Sequence, residues 1–210
     1  MKLLELFSGT GSVGRVARRL GWEVVSLDLK KADINTNILN WDFKETYLPE
    51  HFDFIWASPP CTEYSCAKTT GTRNIEDANK IVLKTLEIIE YLRPTFYVLE
   101  NPQTGYLKNQ PFMNNRSYND IDYCKYGMPY RKRTRLWNNL ENWTPRQLCK
   151  YDCGGTVGKR HPMSAQKGAS GKWGDDSNYK TNELYVIPEP LILELLDATI
   201  SQEDGRSNTQ

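Results

Sequence analysis

The sequence predicts an α/β domain built on a doubly wound, mainly parallel sheet with an antiparallel pair at one edge. Three observations predict it. Short apolar runs alternate with segments of helical period, the runs end in glycine, proline or acidic residues, and past Gly105 the pattern changes to paired, alternating stretches. Residues 3–7 are an apolar run suited to a buried strand. They lead through Ser8-Gly9-Thr10-Gly11-Ser12-Val13-Gly14 into a helix with Val16, Ala17 and Leu20 at helical spacing. Residues 23–27 form a second strand closing on Asp28, and residues 52–57 another closing on Ser58-Pro59-Pro60-Cys61. Between residues 75 and 92, Ile81, Leu83, Leu86, Ile88, Ile89 and Leu92 fit an amphipathic helix stopped by Pro94. Residues 96–99 are the next strand, ending in Glu100-Asn101-Pro102. In an open parallel sheet ligands sit beyond the carboxyl ends of the strands, which is where Gly9, Asp28, Cys61 and Glu100 all fall.

Residues 120–126 alternate, Met128-Pro129-Tyr130 turns the chain, and residues 134–137 resume, giving the antiparallel pair around Arg131-Lys132-Arg133-Thr134-Arg135. Residues 143–182 are polar and glycine-rich without a period, and read as an irregular insertion carrying Lys150, Lys159, Arg160, His161, Lys167 and Lys172. A terminal helix is expected over residues 191–200 after Pro188 and Pro190, and a disordered tail over 201–210. The organisation expected is one domain over 1–142, completed by the helical segment 183–200, with 143–182 as appendage.

With 210 residues, one sizeable core is within reach. The 27 Lys+Arg against 26 Asp+Glu exclude a protein that holds nucleic acid by bulk charge, so any basic patch must be local. The most apolar stretch is broken by Lys84, Glu87 and Glu90, and residues 1–5 lack the apolar core of a signal peptide, so a soluble, cytoplasmic protein with no membrane association is expected. Five cysteines without even spacing do not describe a secreted disulfide framework.

The glycine-rich turn lets backbone amides approach a ligand at a helix N-terminus, and Asp28 can accept from ribose hydroxyls. Alone these residues do not separate a nicotinamide from an adenosyl cofactor, nor either from a plain tight turn. Two prolines before Cys61 hold its thiol rigid at a strand end, as a nucleophile requires, although a cysteine is also an ordinary small core residue. Glu100, at the end of the next strand, suits proton transfer, or caps its own loop.

Taken together, Phe7-Ser8-Gly9-Thr10-Gly11, Pro59-Pro60-Cys61 with Ser65, Glu100-Asn101 and Arg133-Thr134-Arg135 resemble, in order, the motifs of DNA (cytosine-5) methyltransferases over residues 3 to about 140. The resemblance implies a Rossmann-like fold that binds S-adenosyl-L-methionine. In it Phe7 packs on the cofactor, Ser8, Gly9 and Gly11 hold its amino-acid end, Asp28 its ribose and Asp42 its adenine amino group, with Pro59 alongside. Asp42 falls in residues 38–43, a poorly patterned third-strand segment. The resemblance also implies that Cys61 adds to carbon 6 of a flipped cytosine, that Glu100 protonates ring nitrogen 3, and that Arg133 and Arg135 surround the base and favour the thiolate. Ser65, Lys125, Arg131 and Lys132 are the expected DNA contacts, joined by the basic residues of 150–172 unless those are only a solvated surface. DNA is the implied partner of a monomer in a bacterial, phage or viral setting.

Pro102 follows Glu-Asn where the family usually has Val, Tyr130 or Arg131 stands where a Gln is common, and most of the separate target-recognition domain is missing. Residues 185–188 are only a faint echo of the last motif. Two other readings stand beside it. In an amino-methyltransferase the Pro-Pro motif begins with Asp or Asn and ends in an aromatic, where this chain has Ser58 and Cys61; the other is a catalytically idle DNA-binding relative. Cys149, Cys153 and His161, with Cys124 nearby in sequence, have a loose metal-like spacing that could staple the irregular insertion through zinc, but two close cysteines and one histidine lack a convincing fourth ligand, so no metal is assigned.

Overall fold

A computed structural model describes residues 1–165 and 184–207, with side chains as far as residue 200. Seven strands form one sheet in the order β3-β2-β1-β4-β5-β7-β6. They are β1 (Lys2–Leu6), β2 (Glu23–Asp28), β3 (Ile34–Asn35), β4 (Phe54–Ala57), β5 (Phe96–Pro102), β6 (Tyr118–Asp122) and β7 (Arg133–Asn138). The first five run parallel, with Leu4 in register with Val25 on one side and Ile55 on the other. From β1 the chain winds outward to β2 and β3, then returns across to β4. The strand order therefore reverses between β1 and β4, which opens a crevice at their carboxyl ends. Helices α1 (Ser12–Arg19) and α3 (Ile75–Leu92) make crossovers that a parallel sheet requires.

Because successive side chains of a strand point to opposite faces, Leu3, Phe54, Trp56, Phe96 and Val98 pack under α1 and the terminal helix α4 (Glu189–Ser207). Leu4, Leu6, Ile55 and Ala57 pack on the other face, against Ile88, Ile89 and Leu92 of α3. The antiparallel edge pair is as expected: β7 adds to β5 with Glu100 opposite Leu136, and β6 pairs to β7 with Asp122 opposite Arg133.

Three expectations are corrected. Residues 38–43 are not a strand. Asn37 accepts from the Leu39 N–H and Asp42 from the Glu45 N–H, so a 3-10 turn (Ile38–Asn40) and the short helix α2 (Phe43–Thr46) form in its place. Residues 123–126 leave the edge strand as a 3-10 turn (Tyr123–Tyr126) ending at Gly127 with φ 92°. Helix α4 continues to Ser207 through part of the expected tail; no proline interrupts 201–207, and its Gln202 and Glu203 tolerate helix well. Residues 208–210, and 166–183 with Lys167 and Lys172, lie outside the described residues. The described part of the insertion, residues 143–165, has no helix or strand and makes only isolated bridges, Tyr130 with Met163 and Val157 with Arg160. No described helix is long and apolar enough to cross a membrane.

Candidate active site

The crevice at the switch point is a cavity of about 560 Å³. One part of its lining comes from the ends of β1 and β2: Phe7, Ser8, Gly9, Leu27 and Asp28. The turn after β1 is tight enough to put Phe7 at φ 60° and Gly9 at φ 49°, in the left-handed region. The Asp28 carboxylate accepts from the Gly9 N–H at 2.9 Å and from the Leu29 N–H at 2.6 Å, which ties the two strand ends together and leaves further acceptor capacity toward the cavity.

Beneath the turn lies Glu5, which sequence reasoning missed although an acid inside an apolar strand is itself a signal. Its two carboxylate oxygens accept from the Val13 and Gly14 N–H groups at 3.2 and 3.0 Å, satisfying donors that the first turn of α1 leaves open. Burial drives its pKa up to about 7, against the lowering effect of those hydrogen bonds and of Arg18 and Arg15.

The other part of the lining comes from the loop after β4 and from β5: Pro59, Pro60, Cys61, Glu100 and Asn101. The Asn101 amide donates to the Pro59 carbonyl at 2.9 Å, so a residue of β5 pins the loop that carries the thiol; its carbonyl oxygen is buried without a partner among the described residues. Cys61 is half-buried, and burial, then the Glu100 charge, pushes its thiol pKa up, while Lys132 pulls it down. Glu100 is buried; its Oε1 accepts from the Tyr123 hydroxyl at 3.2 Å and lies 3.7 Å from the Lys132 ammonium. Desolvation and the neighbouring Glu100 charge hold Tyr123 well above the ordinary phenol value, so it remains a donor.

Of the expected residues, the cavity thus gathers Phe7, Ser8, Gly9, Asp28, Pro59, Cys61, Glu100 and Lys132. Others are elsewhere. Asp42 caps α2 and is not in the lining, where Asn37 and Ile38 stand on that side. Gly11 is the left-handed cap of α1, with φ 64°. Ser65 is in the loop beyond, its hydroxyl accepting from the Ala67 N–H. Arg133 and Arg135 do not reach the cavity: each makes a bidentate pair along the edge hairpin, with Asp122 and Asp120 respectively, and Arg135 also lies 3.5 Å from the Tyr118 ring centroid. An arginine in strand register faces the acid on its neighbouring strand before anything more distant. The cation beside the thiol and carboxyl is Lys132, one residue earlier. Lys125 is held by Asp152 at 2.8 Å, and Arg131 lies over the Tyr151 ring. Tyr185 and Ile187 also join the lining, and the Ile187 N–H reaches the Ser12 hydroxyl at 3.4 Å.

A doubly wound sheet with an antiparallel edge pair and this crevice has the fold of methyltransferases. It matches an E. coli prophage protein described as a "putative DNA modification methyltransferase", with TM-score 0.51 and 16% identity over 71% of this chain and 52% of that one. A methyltransferase of Entamoeba histolytica matches with TM-score 0.51 and 18% identity over 70% and 56% of the two chains, so this chain spans about half the length of the solved structures it matches. Within that class, the model for C-5 cytosine-specific DNA methylases matches residues 1–131. A Frog virus 3 (isolate Goorha) protein, described as "Probable DNA (cytosine-5)-methyltransferase", is 34% identical over 94% of this chain and 99% of its own. The chain belongs to the C-5 cytosine-specific DNA methylase family.

Proposed function

We propose that this protein transfers a methyl group from S-adenosylmethionine to carbon 5 of cytosine in DNA, through a transient bond between Cys61 Sγ and carbon 6 of a flipped base. The carrying observation is that one cavity holds Cys61 and Glu100 beside the Phe7-Ser8-Gly9 turn and Asp28. The donor set fits the cofactor: a carboxylate for vicinal hydroxyls at Asp28, apolar walls at Leu27 and Ile38 for a purine, and an aromatic face at Phe7. When bound, S-adenosylmethionine supplies an electrophilic methyl group.

The residues of the chain do the rest. Cys61 rests as a thiol, since burial and Glu100 disfavour its charged form. A proton moved from Cys61 to Glu100 creates both required states together: a thiolate, no longer opposed by a neighbouring anion, and a neutral acid that can protonate ring nitrogen 3. Lys132, close to both, stabilises the thiolate, the part foreseen for Arg133 and Arg135. Sulfur then bonds to carbon 6, carbon 5 becomes nucleophilic enough to take the methyl group, a base removes the carbon-5 proton, and the bond to Cys61 breaks as nitrogen 3 returns its proton. Residues 1–142 with 183–200 are the catalytic body in this reading, and 143–182 a compact target-reading region.

DNA containing 5-fluorocytosine, incubated with radiolabelled S-adenosylmethionine, tests the reading. Elimination is blocked when fluorine replaces the carbon-5 proton, so a denaturation-resistant protein–DNA adduct carrying label is expected, and none with Cys61→Ser. Labelling that persists in Cys61→Ser, or cofactor and DNA binding without any adduct in the parent, overturns it; the second result would mark a catalytically idle relative.

A further inference from the structure

Outside the crevice, one cluster of chemistry-bearing side chains has no part in methyl transfer. Cys124, from the 3-10 turn after β6, meets Cys149, Cys153 and His161 of the insertion, and the four donor atoms all lie within 4.8 Å of one another. We infer that these residues hold a structural zinc ion that fastens the insertion to the edge hairpin.

The geometry is that of a metal site rather than a hydrogen-bonded group. The His161 Nε2 atom lies 3.5 Å from Cys149 Sγ and 3.4 Å from Cys153 Sγ, and a single ring nitrogen cannot satisfy two sulfurs by hydrogen bonds at once. A tetrahedral zinc with bonds of about 2.3 Å to sulfur and about 2.0 Å to nitrogen sets its sulfur and nitrogen ligands about 3.5 Å apart. Three soft sulfurs with one imidazole are a closed donor set, which leaves no position for water or substrate and so marks a structural ion. The backbone is arranged to match. The Tyr151 N–H donates to Cys149 Sγ at 3.3 Å, and the Cys149 N–H to the buried carboxylate of Asp122 at 2.9 Å, so the sulfur carries a donor and its residue is anchored. Cys149-x3-Cys153-x7-His161 lies on one short loop; the fourth ligand, Cys124, comes from a separate turn on the other side of β7, and only the fold brings it to the loop.

The ion would brace the part of the fold that faces the crevice. Tyr123, beside Cys124, donates to Glu100, and Asp122, which anchors Cys149, also holds Arg133. An insertion with no helix or strand among its described residues gains by this link the fixed position that apolar burial gives other segments.

The purified 210-residue chain should contain one equivalent of zinc by elemental analysis, and Cys66→Ser should keep it, whereas His161→Ala and Cys153→Ala should lose most of it. Because those variants could unfold, the parent is also stripped with a chelator and titrated with Co²⁺. The intense visible absorption of a tetrahedral cobalt–thiolate centre should rise to one equivalent, bleach on addition of Zn²⁺, and leave three fewer thiols open to a disulfide reagent than in the stripped form. A metal-free parent with no such absorption, or thiol counts that do not change on stripping, overturns the proposal.

Discussion

At the scale of single residues, Glu100 and Glu5 are buried carboxyls with opposite work. The Glu100 charge disfavours the Cys61 thiolate, so Glu100→Gln removes that opposition while destroying the acid proposed above to protonate the base. Alkylation of Cys61 by iodoacetamide near neutral pH, followed on its own peptide by mass spectrometry, is expected to speed up, because a lower thiol pKa means a larger thiolate fraction. Methyl transfer by the same variant is expected to fall by roughly 10²–10⁴. Slower alkylation in Glu100→Gln would mean that the two groups are not electrostatically linked. Glu5 is raised to about 7 from 4.5 by burial. A raised carboxyl pKa means that the folded state binds the proton more tightly than the unfolded chain. The contribution of Glu5 to stability is therefore fully present below about pH 4.5 and is lost as pH rises through about 7, a change on the order of 3 kcal/mol. Urea unfolding of the parent and Glu5→Gln across this range should show the stability difference moving in favour of Gln as pH rises; a constant difference excludes the shift.

At the scale of elements, the turn from β1 into α1 lines the side of the cavity proposed above for the cofactor, and its third glycine is placed by packing. A Cβ on Gly14 would sit 2.5 Å from Glu5 Oε2 and 3.1 Å from Val24 Cγ1. Alanine ordinarily favours a helix over glycine by about 1 kcal/mol. Here the clash decides the sign, because Glu5 cannot move without abandoning the two N–H groups it satisfies, and Gly14→Ala should lose about 1–3 kcal/mol in thermal unfolding. A raised melting temperature would show that Glu5 yields freely. The same elements show what a sequence discloses. β1 and β4 were legible as apolar runs because both of their faces are buried, and α3 because burying one face writes a helical period into the chain. Asp42 misled because its segment is shaped by side-chain caps, which leave no period. Arg133 and Arg135 were legible as a motif but not as a position: their partners Asp120 and Asp122 lie across a strand pairing whose register sequence alone does not supply. Cys124 and Lys132 were each noted, yet what they meet depends on how a turn closes.

At the scale of the whole molecule, the charge is +1 and much of the cationic surface is already engaged. Lys125 pairs with Asp152, Arg133 with Asp122, Arg135 with Asp120 and Arg146 with Glu194. A cation held by a carboxylate can neutralise a phosphate only by breaking that pair, so the basic motif delivers less to a DNA backbone than its composition promises. Each phosphate neutralised on duplex DNA contributes about −0.9 to the slope of log affinity against log salt, and a protein that engages few should therefore have a shallow slope. If recognition works as proposed, most of the binding free energy must come from the everted base in the crevice and from cofactor packing rather than from counterion release. Fluorescence anisotropy on a cytosine-containing duplex, with S-adenosylhomocysteine present and salt varied, is expected to return a slope no steeper than about −3. Lys132→Met should weaken binding and slow methyl transfer together, since that lysine sits by Glu100 rather than out on the surface. A slope of about −6 or steeper would mean that the pairs open on contact and that DNA is held by a broad electrostatic face. The edge hairpin would then be a binding surface in its own right, and the crevice would no longer be the main source of affinity.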